Sequence, residues 1–122
     1  MLINLSNHPY AQWSEDQKQA AERFGDCTDL PFPSIDPEGG EAYIVRLAED
    51  YMQKVIQIAK TKRNEKVTVH LMGEMTFVYA LLEKLRQAEI RCIASTTQRM
   101  GIDLGNGRRD IQFHFVRFRY YY

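Results

Sequence analysis

The sequence is poor in the features that announce a standard chemistry. Its two cysteines, Cys27 and Cys92, stand far apart and outside any CxxC spacing, which excludes a disulfide framework and leaves two reduced, buried thiols as the expectation. No phosphate-binding loop with a Walker lysine, no GxGxxG fingerprint and no GxSxG elbow occurs, which weakens NTPase, dinucleotide oxidoreductase and serine hydrolase readings. Long apolar runs are missing. Met1 to Leu5 is interrupted at once by Ser6, Asn7 and His8, too early for a signal segment or a membrane span, so a cytoplasmic protein with no membrane partner is expected. The three histidines, His8, His70 and His114, are dispersed, with no cysteine or carboxylate at ligand spacing, which argues against a zinc site; no cofactor is expected. Net charge is also absent. Sixteen basic and sixteen acidic residues cancel, so the chain lacks the strong positive field that holds long nucleic acids.

What is present is apolar content and an uneven distribution of charge. With 122 residues, 44% of them hydrophobic, the chain suffices for a single core and a single domain over 1–122. Residues 1–60 hold five Lys or Arg against ten Asp or Glu, and residues 61–122 hold eleven against six. A basic second half suits a small anionic ligand, or is simply a solvated face.

The pattern of elements alternates. Leu2 to Leu5 reads as a buried strand ended by Ser6-Asn7-His8-Pro9. Ser14 with Gln17 forms a capping box before a helix that stops at Gly25, and Cys27 to Leu30 is a second short strand. Pro31, Pro33 and Pro37 force a loop, and Asp36-Pro37 reads as the cap and first position of a second helix, whose apolar stripe runs from Ile44 to Ala59. Val67 to Met72 is a third strand, Val78, Leu81, Leu82 and Leu85 mark a third helix, and Ile90 to Ala94 is a fourth strand. The order predicts an α/β fold: a single Rossmann-like domain with a mostly parallel sheet flanked by helices. Gly101, Gly105, Asn106 and Gly107 mark a turn, after which Ile111 to Tyr120 forms a C-terminal antiparallel hairpin strand.

In open α/β sheets ligands bind beyond the carboxyl ends of the strands. Three polar tips qualify: Ser6-Asn7-His8, Gly73-Glu74-Met75-Thr76, and Ser95 to Arg99, which form one pocket if the first, third and fourth strands are adjacent. Gly73 opens a helix, where unpaired N–H groups make an anion site and a glycine lets a ligand approach; Thr76 either caps the helix or donates to phosphate. Glu74 would repel a phosphate, and suits a ribose or base, or orients Arg99. Arg99 offers a planar fork for phosphate, or is solvated. His8 suits acid–base work, or is a turn residue; His70 reads as packed within the sheet and His114 as part of the last strand. Along that strand Ile111, Phe113 and Phe115 share a face that continues as Arg117 and Arg119, while Val116, Phe118 and Tyr120 are apolar on the other. Such an exchange means a bulge, or a strand leaving its sheet to build a homodimer. The closing Tyr120-Tyr121-Tyr122 belongs to that edge or is a frayed tail.

Leu2-Ile3-Asn4-Leu5-Ser6-Asn7-His8-Pro9, Met72-Gly73-Glu74-Met75-Thr76 and Ala94-Ser95-Thr96-Thr97-Gln98-Arg99 together resemble the small standalone CRISPR-associated Rossmann-fold (CARF) proteins. The resemblance implies a homodimer that binds cyclic oligoadenylate, the messenger of type III CRISPR defence. For the ring nucleases among them it implies metal-independent cleavage, in which a ribose 2′-hydroxyl attacks the adjacent phosphate. It further implies His8 as proton shuttle and Arg99 as charge stabiliser, with Ser6, Asn7, Gly73, Glu74, Thr76, Thr96 and Thr97 binding the ligand. The chain departs from the pattern by having no basic residue at the Gly73 turn, and no effector domain is expected beside it. A non-catalytic sensor or adaptor, a structural subunit docking another protein through its last strand, and an enzyme acting on a phosphorylated metabolite are the alternatives.

Overall fold

A computed structural model describes residues 1–122 as a five-stranded sheet with helices on both faces. The strands are β1 (Leu2–Ser6), β2 (Cys27–Asp29), β3 (Thr68–Met72), β4 (Arg91–Gly105) and β5 (Arg108–Tyr120), and the helices α1 (Glu15–Ala21), α2 (Glu41–Lys60) and α3 (Met75–Gln87). Their order across the sheet is β2-β1-β3-β4-β5, parallel except for the β4–β5 hairpin. The expected α/β fold is therefore the one observed, with the first, third and fourth strands side by side.

Period-two alternation sends the side chains of each strand to two different cores. Ile3, Leu5, Val69, Leu71 and Cys92 face α2 and α3 and join Val55, Phe77, Leu81 and Leu85 in a cluster of 12 buried residues. On the other face Leu2, Ile93 and Phe118 meet Trp13 and Ala21 in a cluster of only 5, covered by α1.

Local signals explain most boundaries. The Ser14 hydroxyl accepts a hydrogen bond from the Gln17 N–H at 3.2 Å, capping α1, and the chain leaves the following short 3-10 turn, Glu22–Phe24, at Gly25 with φ of +90°. Asp36-Pro37 does not start α2. The Asp36 carboxylate instead accepts from the Glu38 N–H at 2.9 Å in an isolated turn, and α2 begins four residues after Pro37 with Gly40 as its cap. The Gly-Gly pair after that turn breaks the helical geometry Pro37 would have begun.

The larger correction concerns β4. Its paired residues run on from Ala94 to Gly105, so Ser95 to Arg99 is strand and not a loop at a strand end. Thr96 and Thr97 have good strand propensity, and β5 supplies a partner in register along the extension. The hairpin closes through Asn106 and Gly107, with φ of +53° and +75°, the pair of positive angles a two-residue turn of type I′ needs.

The face exchange in β5 is a bulge. Thr96 pairs with Arg117 and Thr97 with Phe115, leaving Val116 as an extra residue. That insertion is what lets Phe115 and Phe118, three positions apart, lie on one face with ring centroids 5.0 Å apart. The closing tyrosines are anchored, not frayed: the Tyr121 hydroxyl donates to the Leu71 carbonyl and the Tyr122 hydroxyl to that of Ile90.

Candidate functional site

The strand order reverses between β1 and β3, and ligands of open α/β sheets sit at that switch point. A cavity of about 680 Å³ opens there. Its walls are the β1 tip (Ser6, Asn7, His8), the following segment through Trp13 to Gln17, the end of β3 (His70, Met72, Gly73) and the β4–β5 hairpin (Ser95, Thr97, Phe113, His114, Phe115). All three histidines reach this one cavity, although the sequence disperses them. No group of His, Cys, Asp or Glu is placed to hold a metal ion.

The floor is a buried polar network on the α1 face of the sheet. Asn4, 2% exposed, donates from Nδ2 to the His8 carbonyl and to Asp29 Oδ1, both at 2.8 Å. Its Oδ1 accepts from Ser6 Oγ at 2.8 Å and lies 2.9 Å from His70 Nδ1. His70 Nε2 lies 3.3 Å from Ser95 Oγ. Asn4 and His70 are register partners in adjacent strands, and Trp13 and Phe118 pack edge-on against the imidazole at 5.1 and 5.6 Å. With every polar atom partnered the network is rigid, because an unpaired polar group at this depth is costly. The His8 carbonyl also accepts from Trp13 Nε1 at 3.0 Å, so two separate segments hold the loop that presents the exposed His8 side chain.

Electrostatics separate the ionisable groups. Burial, with a smaller contribution from His8, pulls the His70 imidazole down from 6.5 to about 4, so it is neutral at pH 7. Burial raises Cys92 and Cys27 to about 11, which keeps both as thiols and removes them as nucleophiles. Asp16 is the sole carboxylate on the lining, and no Lys or Arg belongs to it.

Of the residues the sequence singles out, Asn7, His8, Gly73 and Thr97 line the cavity together with Ser6. Ser6 is nonetheless occupied, since its hydroxyl bonds Asn4 Oδ1, the His8 carbonyl and the His8 N–H and shapes the turn. Glu74 and Thr76 are not on the lining. The Glu74 carboxylate caps α3, accepting from the N–H groups of Thr76 and Phe77 at 3.0 and 2.9 Å and from the Thr76 hydroxyl. Those bonds, the hydroxyl's first, hold its pKa below the ordinary carboxylate range. The helix terminus expected to attract a ligand anion is therefore filled by the chain's own anion. Gly73 has a different reason from ligand approach: a Cβ there would lie 2.2 Å from the Phe32 ring, so the glycine makes room for that ring. Thr96 faces away from the cavity, its hydroxyl donating to the Arg117 carbonyl at 3.1 Å. Arg99 lies outside the lining, two positions beyond Thr97 and paired with Phe113, at the rim.

Sequence reasoning missed Asn4 beneath the cavity, and His70 and Trp13 on its lining; Ser95, part of the third expected polar tip, does line it. A signal existed for the first two: each sits mid-strand in an apolar run, where a polar side chain must find a partner, and each is the partner of the other. Trp13 carried no comparable local sign.

The fold is that of a doubly wound α/β protein of flavodoxin-like strand order with an open cavity at its switch point. The chain belongs to the family described as the uncharacterized protein MJ1673 family, whose model matches residues 1–119. No curated protein matches it, and no solved structure does. No helix is long and apolar enough to cross a membrane.

Proposed function

We propose that the cavity takes a cyclic oligoadenylate and that the protein cleaves the ring without a metal, as a ring nuclease of the CARF type. The observation that carries the reading is the convergence of polar side chains from the β1 tip, β3 and the β4–β5 hairpin, three histidines among them, on one open cavity of about 680 Å³. Trp13, Phe113 and Phe115 supply flat surfaces for adenine, and Asn7, Ser95, Thr97 and Gln12 supply donors and acceptors for ribose and base edges. His8 at the mouth is the candidate proton shuttle and Arg99 at the rim the candidate charge stabiliser.

A homodimer fits the same picture. Phe113 (66% exposed) and Ile111 (46%) continue the cavity wall outward on the hairpin, and a second copy packed there would bring two cavities together. The absence of Lys and Arg from the lining favours one alternative, a non-catalytic sensor, because little positive charge awaits the transition state.

Incubation of the purified protein with cyclic tetra- and hexa-adenylate in EDTA, followed by chromatography, tests both. Linear products ending in a 2′,3′-cyclic phosphate are expected. A ring bound but uncut selects the sensor, and a ring neither bound nor cut ends the proposal. His8→Ala and Arg99→Ala should each slow cleavage without unfolding the protein, since both side chains are exposed.

A further inference from the structure

The chain Asn4–His70–Ser95 does more than fill the sheet. Both amide hydrogens of Asn4 are spent, on the His8 carbonyl and on Asp29, which fixes the amide with Oδ1 toward His70 Nδ1. A carbonyl oxygen only accepts, so Nδ1 carries the imidazole hydrogen. A neutral imidazole has one such hydrogen, and Nε2 therefore turns a bare lone pair toward Ser95 Oγ. Ser95 has two acceptors in reach, Nε2 at 3.3 Å and the Met72 thioether sulfur at 2.9 Å, and the imidazole nitrogen is the stronger. Ser95 also lines the cavity, so a hydroxyl whose own hydrogen points down to Nε2 shows the ligand two lone pairs.

We propose that Ser95 Oγ is the group that accepts the proton of an attacking ribose 2′-hydroxyl, passing its own proton to His70, which Asn4 holds in the tautomer the transfer needs. The inference rests on the ring-cleavage reading and names its base. As the O2′–H bond breaks, a new Oγ–H bond forms and the former Ser95 proton moves to Nε2. The O2′–P bond forms and the P–O5′ bond breaks, and the departing O5′ takes a proton from a protonated His8. The products are a 2′,3′-cyclic phosphate and a 5′-hydroxyl, with His70 charged and His8 neutral, and solvent exchange resets both. The phosphodiester above the floor favours the charged imidazole while it lasts. Ser95 and His8 touch the reacting atoms in this step; His70 and Asn4 act through Ser95.

The test combines single-turnover cleavage of cyclic tetra-adenylate in EDTA with ¹⁵N NMR of the wild-type imidazoles. Ser95→Ala should lower the single-turnover cleavage rate at saturating protein about 100-fold, and Ser95→Thr, which restores the hydroxyl, should recover most of the rate. The NMR should show His70 neutral at pH 7 with its hydrogen on Nδ1. A Ser95→Ala enzyme that cuts at the wild-type rate overturns the inference while leaving ring cleavage standing, and so does a hydrogen found on Nε2. A wild type that leaves the ring intact overturns both.

Discussion

The two faces of the sheet follow different rules although the same strands build them. Toward α2 and α3, β1 and β3 present Ile3, Leu5, Val69 and Leu71, all fully buried, in one continuous apolar core. Toward α1 the alternate positions start apolar at Leu2 and then become Asn4, Ser6 and His70, also buried but hydrogen-bonded throughout. One face holds the protein together through area removed from water, and the other gives up such area at its carboxyl end to build a fixed floor for the cavity. A cavity placed at the switch point thus leaves that face with the smaller apolar cluster, which the larger opposite cluster offsets.

Variants that strike one face at a time separate these roles. Leu71→Ala, on the apolar face, should lower unfolding free energy by about 4 kcal/mol in urea while leaving the proposed ring affinity unchanged. The polar face should fail in acid. The His70 pKa is lower in the folded state, so the unfolded chain binds the extra proton first; its contribution is intact above pH 6.5 and is lost as pH falls from 6.5 toward 4. Denaturation at stepped pH should show a loss of roughly 3 kcal/mol across that window from this residue alone. Gly73→Ala presses a methyl onto the Phe32 ring, which packs on Phe77 with centroids 5.2 Å apart, and should cost about 1 to 2 kcal/mol in the same assay. Phe113→Ser on the exposed hairpin should change monomer stability by less than about 0.5 kcal/mol, yet weaken self-association in sedimentation if a second copy covers that face.

Much of the fold was legible because its signals are local. The Ser14 capping box, the helical stripe of α2, the apolar runs of β1 and β3 and the Asn106-Gly107 turn each act within a few residues, and the register jump at Val116 showed itself as an exchange of apolar faces. The polar tips were legible as candidates, and Asn7, His8 and Thr97 do meet at the cavity. The roles of Glu74 and Gly73 were not, because a carboxylate that turns back to cap its own helix and a ring that fills the space above a glycine depend on neighbours the local pattern does not name.

By itself the sequence determined the α/β order, the strand-tip positions of Asn7 and His8, and the hairpin, since hydrophobic period and turn chemistry are properties of short segments. Only the tertiary structure decided that Asn4, His70 and Ser95 form one chain of hydrogen bonds and that three dispersed histidines share a cavity. Those facts rest on which strands become neighbours and in what register, and a parallel sheet sets both through contacts between residues as distant in sequence as Asn4 and His70.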